Sequence, residues 1–281
     1  MGNIRAFFKS KSFFIYAMLI HIVLSVIIVK VSWEHVEPRV YDHMVRDFTA
    51  HKTGSDDIVV IMIDDKSLGR YQWPWKREIF ADIFEYLHQY AKPKVMGFDA
   101  VVATLQDQYP ESDKKFFNTV SSIDNYVAAF MQYTSEYEDE AGFEYDKKFK
   151  EKFSIKITDK RKKIPPSLYH SIVRFPAEYF NAVKYSGHID VTPAIDGSVK
   201  YANILSSTNG TIYPSFPLRM YLLANGTDEI TIYKNSVFVP KTGLKIPIPS
   251  FQPITGRDLI PVCTHYYKRH KNSCRQIRFK Q

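Results

Sequence analysis

The chain has 281 residues, of which 45% are hydrophobic, 24% charged and 15% aromatic, so it has the composition of a globular protein rather than a disordered one. That length suits one large domain or two small ones. Two cysteines exclude a disulfide framework, 11 glycines exclude a collagen-like array, and a mean hydropathy of -0.27 excludes a multi-span membrane protein. The net charge of +8 is confined to the ends: residues 1–12 carry +3 and residues 255–281 carry +6, which leaves −1 for residues 13–254. A basic stripe across a folded surface is therefore not expected, and neither is nucleic-acid binding.

Residues 13–29 form an uncharged apolar run, and with Val31, Ser32 and Trp33 beyond Lys30 it reaches the span of a bilayer-crossing helix. Only His21 and Ser25 interrupt it, too little for the polar stripe of a buried soluble helix. No small-x-small pattern follows Val29, so the segment is expected to stay as an anchor rather than be removed as a signal peptide. Arg5, Lys9 and Lys11 before it, with Glu34, Glu37 and Asp42 after it, place the N-terminus inside and the rest outside the cytoplasm. The expected layout is a cytoplasmic basic segment over 1–12, a membrane helix over 13–33, an outer domain over 34–254 and a basic tail over 255–281.

The outer domain opens with Ile58–Ile63, six apolar residues without alternation, which predicts a strand buried on both faces. Lys66–Lys76 reads as a loop carrying Trp73-Pro74-Trp75. Ile79, Phe80, Ile83, Phe84 and Leu87 then recur at helical spacing over residues 77–91, closed by Lys92-Pro93. Residues 94–99 read as a second buried strand, which completes a parallel βαβ unit with a right-handed crossover. A helix over Ser112–Ser122 with Ser112 as N-cap and a strand over Tyr126–Met131 follow. Residues 132–163 are charge-rich and predict a solvated excursion with a short hairpin near 153–157.

Order returns with a short helix from Pro176 to Val183. Antiparallel strands over 187–191 and 198–205 are joined by an Asp196-Gly197 turn. Tyr213-Pro214-Ser215 starts a helix closed by Asn225-Gly226, and a small meander covers residues 230–248. The fold class is α/β, with a mixed, partly parallel sheet flanked by helices behind an N-terminal membrane helix.

These features, taken in order, resemble the second type of CHASE domain, the cyclase/histidine-kinase-associated sensory extracellular family of bacteria. The matching residues are the strand-and-acid segment Asp57–Leu68, Trp73-Pro74-Trp75, the helix over 77–91, Phe98-Asp99, Gly187–Val199 and Tyr213-Pro214-Ser215. The resemblance covers roughly residues 35–250. It implies a domain that senses a small-molecule or envelope signal outside the cell and passes it to a cytoplasmic cyclase or kinase; the coupling to the membrane helix is expected to run through a homodimer. The sequence departs from the family's pattern after about Thr255: no second apolar span and no output domain follow, so the tail reads as truncated or frameshifted.

Asp64, Asp65 and Asp99 lie at the C-terminal ends of the first two predicted strands, where open α/β sheets bind ligands. Three carboxylates there suit a cation or cationic ligand. The competing reading is that they cap helices, terminate strands or pair with Lys66, Lys76 or Arg77. Trp73 and Trp75 either line the same pocket or plug the sheet edge. Asp190 and Asp196 lack a calcium-loop spacing and read as turn residues. Cys263, His265, His270 and Cys274 offer zinc-type ligands or a Cys263–Cys274 disulfide. Asn209-Gly-Thr211 and Asn225-Gly-Thr227 fit a glycosylation sequon that a bacterial origin would leave idle.

Nucleophile-elbow, zinc-protease and phosphate-loop motifs are absent, so no catalytic residue, metal or cofactor is expected. The leading expectation is a membrane-anchored extracytoplasmic sensor. The alternatives are a surface-anchored binding or scaffold protein and, behind it, a metal-dependent surface hydrolase built on the three aspartates.

Overall fold

The computed structural model describes residues 11–32, 37–49, 55–71, 73–136, 140–160, 169–192, 199, 201–233, 236–247 and 258–261. The chain divides into two compact units, one holding residues 1–61, 193–200 and 262–281 and the other residues 62–192 and 201–261. The Asp196-Gly197 turn and the Cys263, His265, His270 and Cys274 group lie outside the described residues.

The first unit contains helix α1 (Lys11–Val31) and helix α2 (Glu37–Thr49). α1 is the expected apolar helix, and its candidate span Phe13–Val31 is buried nowhere in the fold. α2 is not in the sequence reading. The expected first strand is also corrected here: residues 58–63 belong to no helix or strand, and their side chains are 42–69% exposed. An apolar run without helical period reads as a buried strand, but burial needs a partner that local sequence does not show. No βαβ unit starting at Ile58 is present among the described residues.

The second unit begins with α3 (Asp65–Arg70), inside the stretch read as a loop, and α4 (Arg77–Tyr86), which runs into a π-helical turn over Leu87–Ala91. β1 (Met96–Phe98), α5 (Pro110–Ser122), β2 (Tyr126–Phe130) and β3 (Gln132–Tyr133) follow. Ser112 is not the N-cap of α5: Tyr109 holds that position, and the buried Ser112 hydroxyl accepts the backbone N–H of Glu78 at 2.8 Å.

The charge-rich stretch is no solvated excursion. It holds α6 (Glu140–Phe153) and β4 (Lys156–Lys160). Tyr145, Phe149 and Phe153 recur every four residues along α6 and pack inward, and Phe149 and Phe153 are fully buried. Most of the lysines and glutamates are exposed, while Lys152 lies over the rings of Phe153 and Phe180.

β5 (Ser171–Ile172), α7 (Ala177–Ala182), β6 (Tyr185–His188), β7 (Val191–Thr192), β8 (Tyr201–Thr208) and β9 (Thr211–Pro214) come next. α8 (Phe216–Ala224) is capped by Ser215, whose side chain accepts the N–H of Leu218. The expected meander is β10 (Glu229–Tyr233), β11 (Ser236–Val239) and β12 (Leu244–Pro247). β13 (Asp258–Pro261) lies within the segment read as a tail and pairs antiparallel with β8.

The parallel sheet has the order β1-β2-β6, and β10 pairs antiparallel with β11 but parallel with β4. β8 collects β7, β9 and β13 as antiparallel neighbours. The two faces of the parallel sheet differ in size. One carries Met96, Phe98, Tyr126, Ala128 and Phe130 against an aromatic core from α4–α7, including Phe84, Phe116 and Tyr179. The other presents Gly97, Val127, Ala129 and Gly187, with Tyr185 at the start of β6, and α8 packs over its glycines.

That second face is small for a steric reason. A Cβ on Gly187 would stand 2.6 Å from Cα of Phe216 and 2.8 Å from its backbone nitrogen. Backbone cannot yield as a flexible side chain does. Gly187→Ala is therefore expected to cost about 2 kcal/mol in urea unfolding, the scale of overpacking in a dense core. An unchanged midpoint would show that α8 moves off the sheet freely.

Candidate functional site

The sequence-predicted residues divide by role. Asp64 is the N-cap of α3: its Oδ1 accepts the Ser67 backbone N–H at 2.9 Å and the Ser67 hydroxyl at 2.7 Å. The hydroxyl bond is the main reason its carboxyl sits below the ordinary carboxylate range. Asp65 lies in the first turn of the same helix, where a carboxylate complements the helix dipole, and Asp99 is an exposed residue after β1. Among the described residues, no three His, Cys, Asp or Glu side chains converge to hold a metal ion.

The two tryptophans also part company. Trp75 is 7% exposed, donates from Nε1 to the carbonyl of Tyr71 at 3.0 Å and packs against Phe80. Trp73 is 56% exposed, with its ring 6.1 Å from that of Trp75. Trp75 thus plugs the core while Trp73 faces solvent.

Arg77 does not pair with the aspartate trio. Its Nη1 donates to Oδ1 of buried Asp113 at 2.7 Å, and its Nη2 reaches the Thr104 carbonyl. The other Asp113 oxygen accepts the N–H of Gln106 at 2.7 Å, and Gln106 bonds the Trp75 carbonyl and the Arg77 N–H. This network ties the tryptophan loop to α5. Removing one partner of a buried pair strands the other charge, so Asp113→Ala is expected to cost about 3 kcal/mol in urea unfolding. Asp82→Ala, which removes the exposed partner of Lys115, is expected to cost no more than about 0.5 kcal/mol.

The polar groups gathered beneath the surface lie at the C-terminal ends of the other two parallel strands. Gln132 follows β2, while His188 ends β6 and Asp190 follows it; Gln132 is 4% and His188 1% exposed. Oδ1 of Asp190 accepts the Gln132 N–H at 3.2 Å, and its main-chain carbonyl accepts Nδ2 of Asn203 at 3.1 Å. Ser206 donates to Oε1 of Gln132, whose Nε2 donates to the Thr208 hydroxyl. His188 has Nδ1 3.7 Å from Oδ2 of Asp190, beyond hydrogen-bond length, and neither ring nitrogen has a hydrogen-bond partner. The ring of Phe130 meets the imidazole edge-on.

Sequence reasoning placed Asp190 in a turn and did not single out His188, Gln132 or Asn203. The usable signal was the strand-end rule, which had been applied to the first two predicted strands only. Chemically, the cluster can bind and take up protons. The Ser206 hydroxyl is committed to Gln132, and no hydroxyl or thiol is bonded to His188 to act as a nucleophile.

Comparison with known families decides the assignment. The family model described as the CHASE2 domain matches residues 17–281. The chain belongs to the CHASE2 domain family. The matched span takes in nearly the whole chain, including the basic end segment. Curated proteins and solved structures gave no match. CHASE2 domains are extracellular sensory domains and not catalysts.

Burial sets the behaviour of His188. Desolvation pulls its pKa from 6.5 down to about 3, so the native state holds it neutral while the unfolded chain protonates near 6.5. Native stability is then fully present above pH 6.5 and falls as the pH drops toward 3, at up to ~1.4 kcal/mol per pH unit for one proton. Urea titrations of the detergent-solubilised protein between pH 7.5 and 4 should show this slope. His188→Gln should flatten it by about one proton. Equal slopes in the two proteins would show that His188 is not what acid attacks.

Proposed function

We propose that this chain is the extracytoplasmic sensory module of a transmembrane signalling protein, anchored by α1 with its N-terminus in the cytoplasm. The observation that carries the reading is the CHASE2 match, which begins within the apolar helix and continues through the α/β unit. α1 supports the anchor: a 19-residue span with mean hydropathy 2.5, exposed along its whole length, suits lipid rather than a protein core. The basic residues before it set the orientation.

The input is a small-molecule or envelope signal. It is received at the C-terminal ends of the parallel strands, around Asp190, Gln132 and His188, with Asp64, Asp65, Asp99 and Trp73 as exposed candidate contacts and Trp75 packed behind Trp73. Two copies act together, and a cytoplasmic cyclase or kinase in a longer protein supplies the output. The residues gathered at this edge offer donors, acceptors and one titratable ring, a recognition set rather than a reaction centre.

Orientation is the cheapest part to test. With Cys263 and Cys274 replaced by serine, Ser55→Cys should react with a membrane-impermeant maleimide on intact bacterial cells. Ser10→Cys should react only after lysis. The reverse pattern, or labelling of both only after lysis, would refute an outward-facing domain.

A further inference from the structure

We infer that α2 is an interfacial helix that lies on the outer membrane surface, with its apolar face in the boundary between headgroups and acyl chains. This rests on the reading of α1 as a membrane span. The argument starts from the residue pattern. Over residues 39–48 of this helix, the positions 40, 41, 44, 45 and 48 are apolar, and 39, 42, 43, 46 and 47 are Arg, Asp, His, Arg and Asp, while Glu37 in the first turn is the one acid at the angle of the apolar side. At 100° per residue the two sets occupy separate halves of the helix, and the apolar arc is about 140° wide.

That width bears on the occupant. A two-stranded coiled coil uses a narrow seam, and 13 residues give it fewer than two heptads. A flat apolar boundary uses the whole arc. In the described structure Val40 is 50% and Met44 52% exposed, so this edge of the face is open in the folded chain.

Chain length supplies the second argument. α1 ends at Val31 and α2 starts at Glu37. Six backbone steps reach at most roughly 20 Å, so α2 starts close to the end of the hydrocarbon span. A helix of this length is itself about 20 Å long and can lie flat within that reach.

The charged half favours a neutral lipid surface over an anionic one. Arg39 and Arg46 are balanced by Asp42 and Asp47, and Arg46 contacts both Asp47, at 3.8 Å, and His43. With no net charge on that face, attachment comes from buried apolar area and should survive high salt.

The test uses the full chain in phosphatidylcholine vesicles, with Cys263 and Cys274 replaced by serine and one environment-sensitive fluorophore per variant. Attachment through Ile20→Cys reports on α1, through Met44→Cys on the apolar face of α2, and through His43→Cys on its polar face. Quenching by nitroxide lipids is expected at all depths for Ile20→Cys. For Met44→Cys, a shallow nitroxide should quench about twofold or more over His43→Cys, with little change in 1 M salt.

Loss of quenching at Ile20→Cys would overturn the anchor reading itself. Quenching at Ile20→Cys with none at Met44→Cys would overturn only the inference about α2. Disulfide formation between two copies through unlabelled Met44→Cys, without lipid quenching, would assign the face to a second copy and overturn it as well. Adding Met44→Glu to a chain labelled at Val40→Cys should abolish the shallow quenching there and leave that at Ile20→Cys intact.

Discussion

The sensory unit depends on one close approach, the seating of α8 against β6 at Gly187. Because that face of the parallel sheet has glycine at 97 and 187 beside Val127 and Ala129, the helix comes down to backbone contact there. From there α8 serves two cores. Leu218 and Leu222 turn into the apolar cluster of β10 and β11, while Arg219 reaches back to the sheet. Its guanidinium is 4% exposed and donates to the carbonyls of Ser186, Phe153 and Ser154. Burial draws its pKa from 12.5 down to about 10, still far above neutrality, so it stays a cation held by dipoles. One side chain thereby satisfies carbonyls at the end of α6 and on β6. Such a helix cannot shift without exposing a charge or a cavity.

The aromatic side of the sheet achieves order by a different route. Phe84, Phe98, Phe116, Tyr126, Tyr179, Phe149 and Phe130 touch in tilted and edge-on pairs and, for Phe116 and Tyr179, a stacked one, the geometries that ring quadrupoles prefer. Within this apolar mass the hydroxyls of Tyr126 and Tyr179 meet at 2.9 Å. A buried hydroxyl needs a partner, and here each supplies the other's. Burial also holds both phenols well above their ordinary pKa. The polar atoms in this core fix its register rather than offer chemistry.

How much could be read in the residues follows from what is local. α4, β2, the Ser215 cap of α8 and the meander were legible because helical period, an unbroken apolar strand and turn glycines are properties of a few neighbours. α6 was hidden by lysines and glutamates, though Tyr145, Phe149 and Phe153 kept helical spacing beneath them. α2 was hidden in the same way, since its acids were read as the outer flank of a membrane span. Ile58–Ile63 failed in the opposite sense: the run is apolar, yet its exposure depends on a partner elsewhere in the chain. For the site, counting carboxylates led to Asp64, whose job is to cap α3. The polar strand ends at Gln132, His188 and Asp190 carry no motif. Three-dimensional placement alone brings them together.

That placement bears on the sensory role proposed for this strand edge. A catalyst needs a committed nucleophile or metal and a base aimed at it. This cluster instead spends its hydroxyls and amide on each other, through Ser206, Gln132 and Thr208, and holds back an imidazole with unbonded nitrogens beside a carboxylate. A ligand or proton that satisfies His188 would act on a group the native state leaves incomplete, and so would favour one arrangement of the strand ends over another. A signal needs only that difference in affinity between two conformations. An orphaned buried histidine costs stability, as buried polar groups do when unpaired. In an enzyme-like site that cost would serve chemistry; under the proposed sensory reading it leaves an interaction for the signal to complete.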